Sequence, residues 1–123
     1  MQTVIIGLGA IGRMIVDRLA GEKSPVRLQG VLVRPARAAE AREELASDIA
    51  VFTSAEDVIE AKPDMVVECA GQAALKQYGE TLLGAGLDLM VVATGALAES
   101  DYRANLMAAA DLEEGRVFQI GIT

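Results

Sequence analysis

Apolar residues along the chain fall into short unbroken blocks, separated by stretches where they recur every three or four positions. Thr3-Val4-Ile5-Ile6 is too short for a buried helix and predicts a first strand over residues 2–6. Val26–Val33, Ile49–Phe52, Met65–Cys69, Leu87–Val92 and Val117–Ile120 predict five more strands. The intervening segments, Ala10–Ala20, Ala36–Ala46, Ser54–Ala61, Ala73–Leu83 and Ser100–Leu112, carry helical spacing or strong helix formers. Punctuation falls where these elements should end. Gly21 is placed as a helix cap, and Glu22-Lys23-Ser24-Pro25 reads as a polar loop. Ser54-Ala55-Glu56-Asp57 has the shape of a capping box, with Asp in place of Glu, and Lys62-Pro63 ends the helix it opens. Gly84-Ala85-Gly86 closes the next helix, and Gly30 predicts a local irregularity in the second strand.

Regular alternation of strand and helix predicts an α/β fold, a parallel sheet with helices on both faces. The strand blocks lack a polar–apolar alternation, as expected when both sheet faces are covered. The expected arrangement is the Rossmann doubly wound sheet with strand order 3-2-1-4-5-6. Its ligand crevice lies at the carboxyl ends of the strands, between the first and the fourth.

Composition narrows this picture. The 123 residues are enough for one domain, expected to span residues 1–123. Hydrophobic residues make up 52% but aromatics only 3%, so the core must be aliphatic, with the five methionines read as filler. No apolar stretch reaches the roughly 18 residues of a membrane span, and no basic leader precedes the first strand. Cys69 stands alone and cannot form an internal disulfide, which suits a reducing, cytoplasmic setting. A net charge of −7 argues against nucleic acid as a partner. There is no histidine, so the commonest acid/base and metal ligand is missing from this sequence.

Candidate chemistry begins at the end of the first strand. Gly7-Leu8-Gly9-Ala10-Ile11-Gly12 is a Gly-x-Gly-x-x-Gly turn between strand and helix. In such a turn Gly7 permits the tight bend, Gly9 lets a pyrophosphate approach the backbone, and Gly12 lets the helix pack closely. The helix start then offers free amides and a positive dipole end to the phosphates. The second strand ends about 20 residues later at Arg34, where an NAD-binding domain usually carries an acid. A guanidinium there, with Arg37 close behind, suits a 2′-phosphate, so the expected cofactor is NADP or NAD with a lean toward NADP. Cys69, Ala70 and Gly71 after the fourth strand, and Thr94 and Gly95 after the fifth, fall on the same ligand side. Gly71 is expected to offer an amide at a helix start, and Glu68 to pair with a cation. Cys69 is read as a small buried hydrophobe rather than a nucleophile.

Val4–Gly12, Val66-Val67-Glu68-Cys69-Ala70-Gly71 and Val91-Val92-Ala93-Thr94-Gly95-Ala96-Leu97, in this order and spacing, resemble the L-aspartate dehydrogenase family through Arg116-Val117-Phe118. The resemblance implies an oxidoreductase that interconverts L-aspartate and iminoaspartate, or oxaloacetate plus ammonia, using NAD or NADP. It implies cofactor contacts at Gly7, Gly9, Ala10, Ile11, Gly12, Arg34, Cys69, Ala70, Gly71, Thr94 and Gly95. It also implies a second domain that supplies the substrate pocket and a histidine, neither of which this sequence holds. Cofactor binding without turnover is therefore expected of this chain alone, with L-aspartate a partner only when a second domain is supplied. An apolar surface left by that missing domain predicts a homo-oligomer. A non-catalytic module that senses NAD(P) is the alternative. Homoserine- and sugar-type dehydrogenase domains often place lysine–proline after the fifth strand, and Thr94-Gly95-Ala96 weighs against them.

Overall fold

A computed structural model describes residues 1–21, 25–91, 108 and 117–119. Its strands are β1 (Gln2–Ile6), β2 (Arg27–Leu32), β3 (Ala50–Phe52), β4 (Met65–Glu68), β5 (Leu89–Val91) and β6 (Val117–Gln119). The helices are α1 (Ala10–Gly21), α2 (Ala38–Glu44), α3 (Ala55–Ala61) and α4 (Gln72–Gly84). The strands form one parallel sheet in the order β3-β2-β1-β4-β5-β6, the arrangement expected from the sequence. Thr94 and Gly95, and with them the turn after β5, lie outside the described residues. So do the Glu22–Ser24 part of the polar loop and all but Ala108 of the helix expected from Ser100.

Boundaries shift for identifiable reasons. Pro35 lacks an N–H and suits a first turn, so the segment expected as one helix from Ala36 opens with a 3₁₀ turn over Pro35–Arg37 before α2. Gly21 is the last residue of α1 rather than a cap beyond it. The Ser54 hydroxyl accepts from the Asp57 amide at 3.2 Å, as the capping motif requires. Lys62 then ends α3 in the left-handed region at φ 50°. In β2 the register against β1 slips between Thr3 and Val4, so Leu28 and Gly30 face consecutive β1 residues and Gln29 is passed over.

Two apolar layers sandwich the sheet. On one face α3 and α4 cover Val4, Ile6, Leu32, Val66, Leu89 and Val91. Helix α4 contributes Leu75, Tyr78, Gly79, Leu82 and Leu83, a stripe at 3.6-residue spacing. Each fully buried leucine there is worth about 1.5–3 kcal/mol of removed apolar surface. On the other face Val31, Val33, Ala38 and Ala41 gather with Val16 of α1 and Leu45 beyond α2. The cores are aliphatic as expected, but the methionines do not all fill them: Met14 on α1 is 70% exposed.

Candidate functional site

The site is built where β1 and β4 end side by side. The ladder runs one bond past each strand, with the Gly7 amide donating to the Leu32 carbonyl at 2.9 Å and the Cys69 amide to Ile6 at 3.0 Å. Both chains then turn sharply, and both turns use glycine at positive φ: Gly7 at 93° and Gly71 at 109°. The three glycines of the motif differ in why they must be glycine. A Cβ on Gly7 would lie 2.5 Å from the Cβ of Ala70, so the β1 turn is packed directly on the β4 turn. A Cβ on Gly12 would lie 2.5 Å from the Gly7 carbonyl oxygen, so α1 closes down onto the turn that precedes it. A Cβ on Gly9 would meet nothing within 4 Å among the described residues, and its φ is not positive. Protein packing demands glycine at 7 and 12 but leaves space open above 9.

Helix α1 begins at that space. Its first turn holds no acid, and the first bond onto the preceding loop runs from the Arg13 amide to the Gly9 carbonyl at 2.9 Å. The amides of Ala10, Ile11 and Gly12 precede that bond and belong to the group that a helix cannot satisfy internally. Ile11 is half exposed beside them.

A cavity of about 420 Å³ opens from this turn across the ends of β1 and β2. Gly7, Leu8, Gly9 and Arg13 form one side, and Cys69, Ala70, Ala74, Gln77 and Tyr78 face them from β4 and α4. Leu32, Val33 and Arg34 close the β2 end, where Arg37, Glu40 and Glu44 come in from the 3₁₀ turn and α2. Of the residues expected to bind cofactor, the structure brings Gly7, Gly9, Arg34, Cys69 and Ala70 together around this cavity. Ala10, Ile11 and Gly12 sit at the adjoining helix start, and Gly71 lies just behind Ala70.

Three details depart from the expected picture. The Gly71 amide is already engaged, donating to Oε1 of Glu68 at 2.7 Å, while the Ala70 amide donates to the same oxygen at 2.8 Å. Glu68 is fully buried, and its Oε1 accepts from both of these backbone amides. Cys69 has a thiol pushed up to about 11 by burial, and secondarily by the charge of Glu68, which holds it as the protonated thiol. Its reading as a non-nucleophile agrees with that environment. Finally, Glu40 and Glu44 look like a solvated helix face in the sequence, yet both reach the cavity. Glu44 pairs with Arg13 and Glu40 with Arg37. Arg13 was missed as well, although its place directly after Gly12 is a signal that could have found it; the glutamates carry no such signal, because their position depends on where α2 packs.

A parallel sheet in this order, with a glycine turn opening on a cavity at its switch point, defines a dinucleotide-binding domain of the doubly wound class. The chain belongs to the family described as homoserine dehydrogenase, NAD binding domain, whose model matches residues 7–119. Thr94-Gly95-Ala96 in place of lysine–proline therefore does not set it outside that family. It is 40% identical over 118 residues to L-aspartate dehydrogenase 1 of Bordetella pertussis, an alignment that covers 95% of this chain and 43% of the relative. An L-aspartate dehydrogenase of Ruegeria pomeroyi is 36% identical over 110 residues, 89% of this chain and 38% of the relative. The chain thus spans less than half the length of the curated relatives it matches. Among solved structures, aspartate dehydrogenase from Thermotoga maritima superposes with a TM-score of 0.66 at 21% identity, over 97% of this chain and 45% of that one. An archaeal homoserine dehydrogenase in complex with NADPH gives 0.70 at 19% identity, over 96% and 43%. A Bordetella pertussis dehydrogenase in complex with NADH and UDP-GlcNAcA gives 0.78 at 15%, over 97% and 36%. At these identities the structures share the fold.

Proposed function

We propose that this chain seats NAD or NADP for an aspartate-dehydrogenase-like oxidoreductase. The observation that carries the reading is Gly9: it lines the cavity, needs no glycine for its own backbone or packing, and sits where a side chain would project into the space a pyrophosphate must enter. The residues present fit the group. The turn at Gly7–Gly9 and the amides of Ala10, Ile11 and Gly12 would receive the phosphates, and the dipole of α1 with its acid-free first turn favours an anion there. Arg34, exposed at the end of β2, has no ion-pair partner among the described residues and would take the adenosine ribose or its 2′-phosphate. The Cys69–Ala70 backbone would border the middle of the cofactor from the opposite turn, with Thr94 and Gly95 expected on the same side.

When bound, the nicotinamide supplies hydride acceptance or donation; this chain's part is to bind and orient it. The sequence has no histidine, the residue expected to handle the proton in this family. L-aspartate recognition and proton handling are therefore assigned to a second domain, and turnover is not expected of these 123 residues by themselves.

Replacing Gly9 by alanine tests the reading, because a Cβ there meets no atom of the described residues. Calorimetric titration with NAD and NADP should show at least a tenfold loss of affinity for both, while the unfolding free energy from urea titration stays within about 0.5 kcal/mol of the parent. Unchanged affinity in a stably folded Gly9→Ala chain would overturn the proposal.

A further inference from the structure

The cavity carries a cluster of mixed charge that the order of residues along the chain does not suggest. Three guanidiniums, Arg13, Arg34 and Arg37, line it together with two carboxylates, Glu40 and Glu44. The carboxylates are not free: Glu44 pairs with Arg13, bridging α2 to the start of α1, and Glu40 pairs with Arg37 at 3.5 Å, one helical turn away. Arg34 alone lacks an acidic partner among the described residues. Counting whole charges, the cluster is only one positive, although the end of β2 by itself looks strongly cationic.

The acid that NAD-binding domains usually carry at the strand end is therefore absent from β2, while carboxylates reach the same end of the cavity from α2. We infer that Glu40 and Glu44 are specificity-determining residues: by holding Arg37 and Arg13 they keep the site open to NAD and restrain its preference for NADP. This rests on the cofactor reading above and deepens it.

The physical case has two parts. A 2′-phosphate entering this end needs cations at its oxygens and suffers from nearby carboxylates, so each glutamate opposes it twice, by repulsion and by occupying a guanidinium. Neither ion pair is buried. The side chains of Arg37 and Glu40 are 61% and 55% exposed, those of Arg13 and Glu44 43% and 33%. Pairs this open are weakly held, so the arginines can exchange a carboxylate for a phosphate when one arrives. A ribose hydroxyl, by contrast, is accepted without breaking either pair. The arrangement therefore tolerates both cofactors, with the glutamates setting the ratio.

Titration of the full chain and its Glu40→Gln, Glu44→Gln and doubly substituted forms with NAD and with NADP tests this. Glutamine keeps the side-chain length and removes the charge. The double variant should bind NADP relative to NAD at least tenfold more favourably than the parent, and each single variant should move the ratio more than threefold. A double variant whose ratio stays within threefold of the parent, or moves toward NAD, overturns the inference. Ionic strength gives a second readout on the parent chain itself. Salt screens the exposed pairs and the phosphate contact alike, so the double variant should show a steeper loss of NADP affinity with salt than the parent, and an equal slope counts against the idea. Failure of the parent chain to bind either nucleotide would overturn the cofactor reading and this inference with it. Binding of both with an unmoved ratio would overturn the inference alone.

Discussion

Two strand-to-helix turns meet at the centre of this sheet, and they treat their helix amides in opposite ways. After β1, the turn leads into α1 with no acid in its first turn and open space above Gly9. After β4, the turn leads into α4 with the Ala70 and Gly71 amides already bonded to the buried Glu68 carboxylate. Both places have the physics of an anion site: convergent amides, a helix dipole, a glycine at positive φ. One is filled from within by a side chain two residues back along the chain, and the other receives no side-chain anion from the described residues. A glycine-rich turn before a helix is thus not enough to identify a phosphate site; what matters is whether the chain itself has supplied the anion.

The turns are also mechanically joined, because the missing side chain of Gly7 is the space that Ala70 occupies. Gly7→Ala breaks this joint and carries the largest effect expected here. The substitution combines a residue at φ 93° with a Cβ 2.5 Å from that of Ala70. Left-handed backbone and overpacking together cost about 4 kcal/mol in unfolding free energy. Chemical denaturation of Gly7→Ala alone and combined with Ala70→Gly separates the two parts. Removing the Ala70 methyl should return only a minor part of the loss, since the Ala70 Cα would still lie 2.9 Å from the new Cβ and the backbone strain persists. Recovery of the full loss would mean that neither the backbone contact nor the strain is as described.

The filled turn is tested by taking away its internal anion. Glu68→Leu preserves bulk but leaves the Ala70 and Gly71 amides without their acceptor, at a cost of about 2–3 kcal/mol for bonds to a charged group. Glu68→Gln keeps an oxygen in place and should lose less than half as much in the same urea titration. Equal losses in the two variants would show that the carboxylate matters as a charge, not as the acceptor that shapes the turn.

Much of this was legible in the sequence, and the parts that were not share a cause. The strand order followed from alternating blocks and the handedness of crossovers, and the Ser54 cap, the Gly7 turn and the close packing at Gly12 followed from residue chemistry at fixed spacing. These depend on neighbours along the chain. Glu68 as the partner of its own turn was within reach of the same reasoning, since the bonds span only two and three residues, but an Asp or Glu at a strand end fits a cation equally well in a linear reading. Glu40 and Glu44 were out of reach, because their arrival at the cavity depends on how α2 packs against Val31 and Val33 and where that leaves its edge relative to α1. Met14 failed for a related reason: hydrophobic identity predicts burial only when some element covers that face of the helix, and at this residue none of the described ones does.

The smallest effect sharpens the contrast from within the filled turn. Cys69 sits beside Glu68, and burial together with that charge raises its thiol from 9.0 to about 11. A group whose pKa is raised by folding contributes stability that is fully present below its unfolded value and is lost as pH climbs toward the folded value. Below pH 9 the thiol is protonated in both states and the term does not vary. Between pH 9 and about 11 the unfolded chain ionises first, so native stability falls across that interval and levels off above it. Because the residue is only partly buried, solvent screening reduces the expected loss to about 1 kcal/mol. Urea midpoints measured from pH 8 to 10.5 should therefore fall more steeply for the parent than for Cys69→Ala, which has no thiol to ionise. Parallel slopes would place Cys69 in open solvent and dissociate it from the charge of Glu68, and the β4 turn would then be less closed than the β1 turn it is set against.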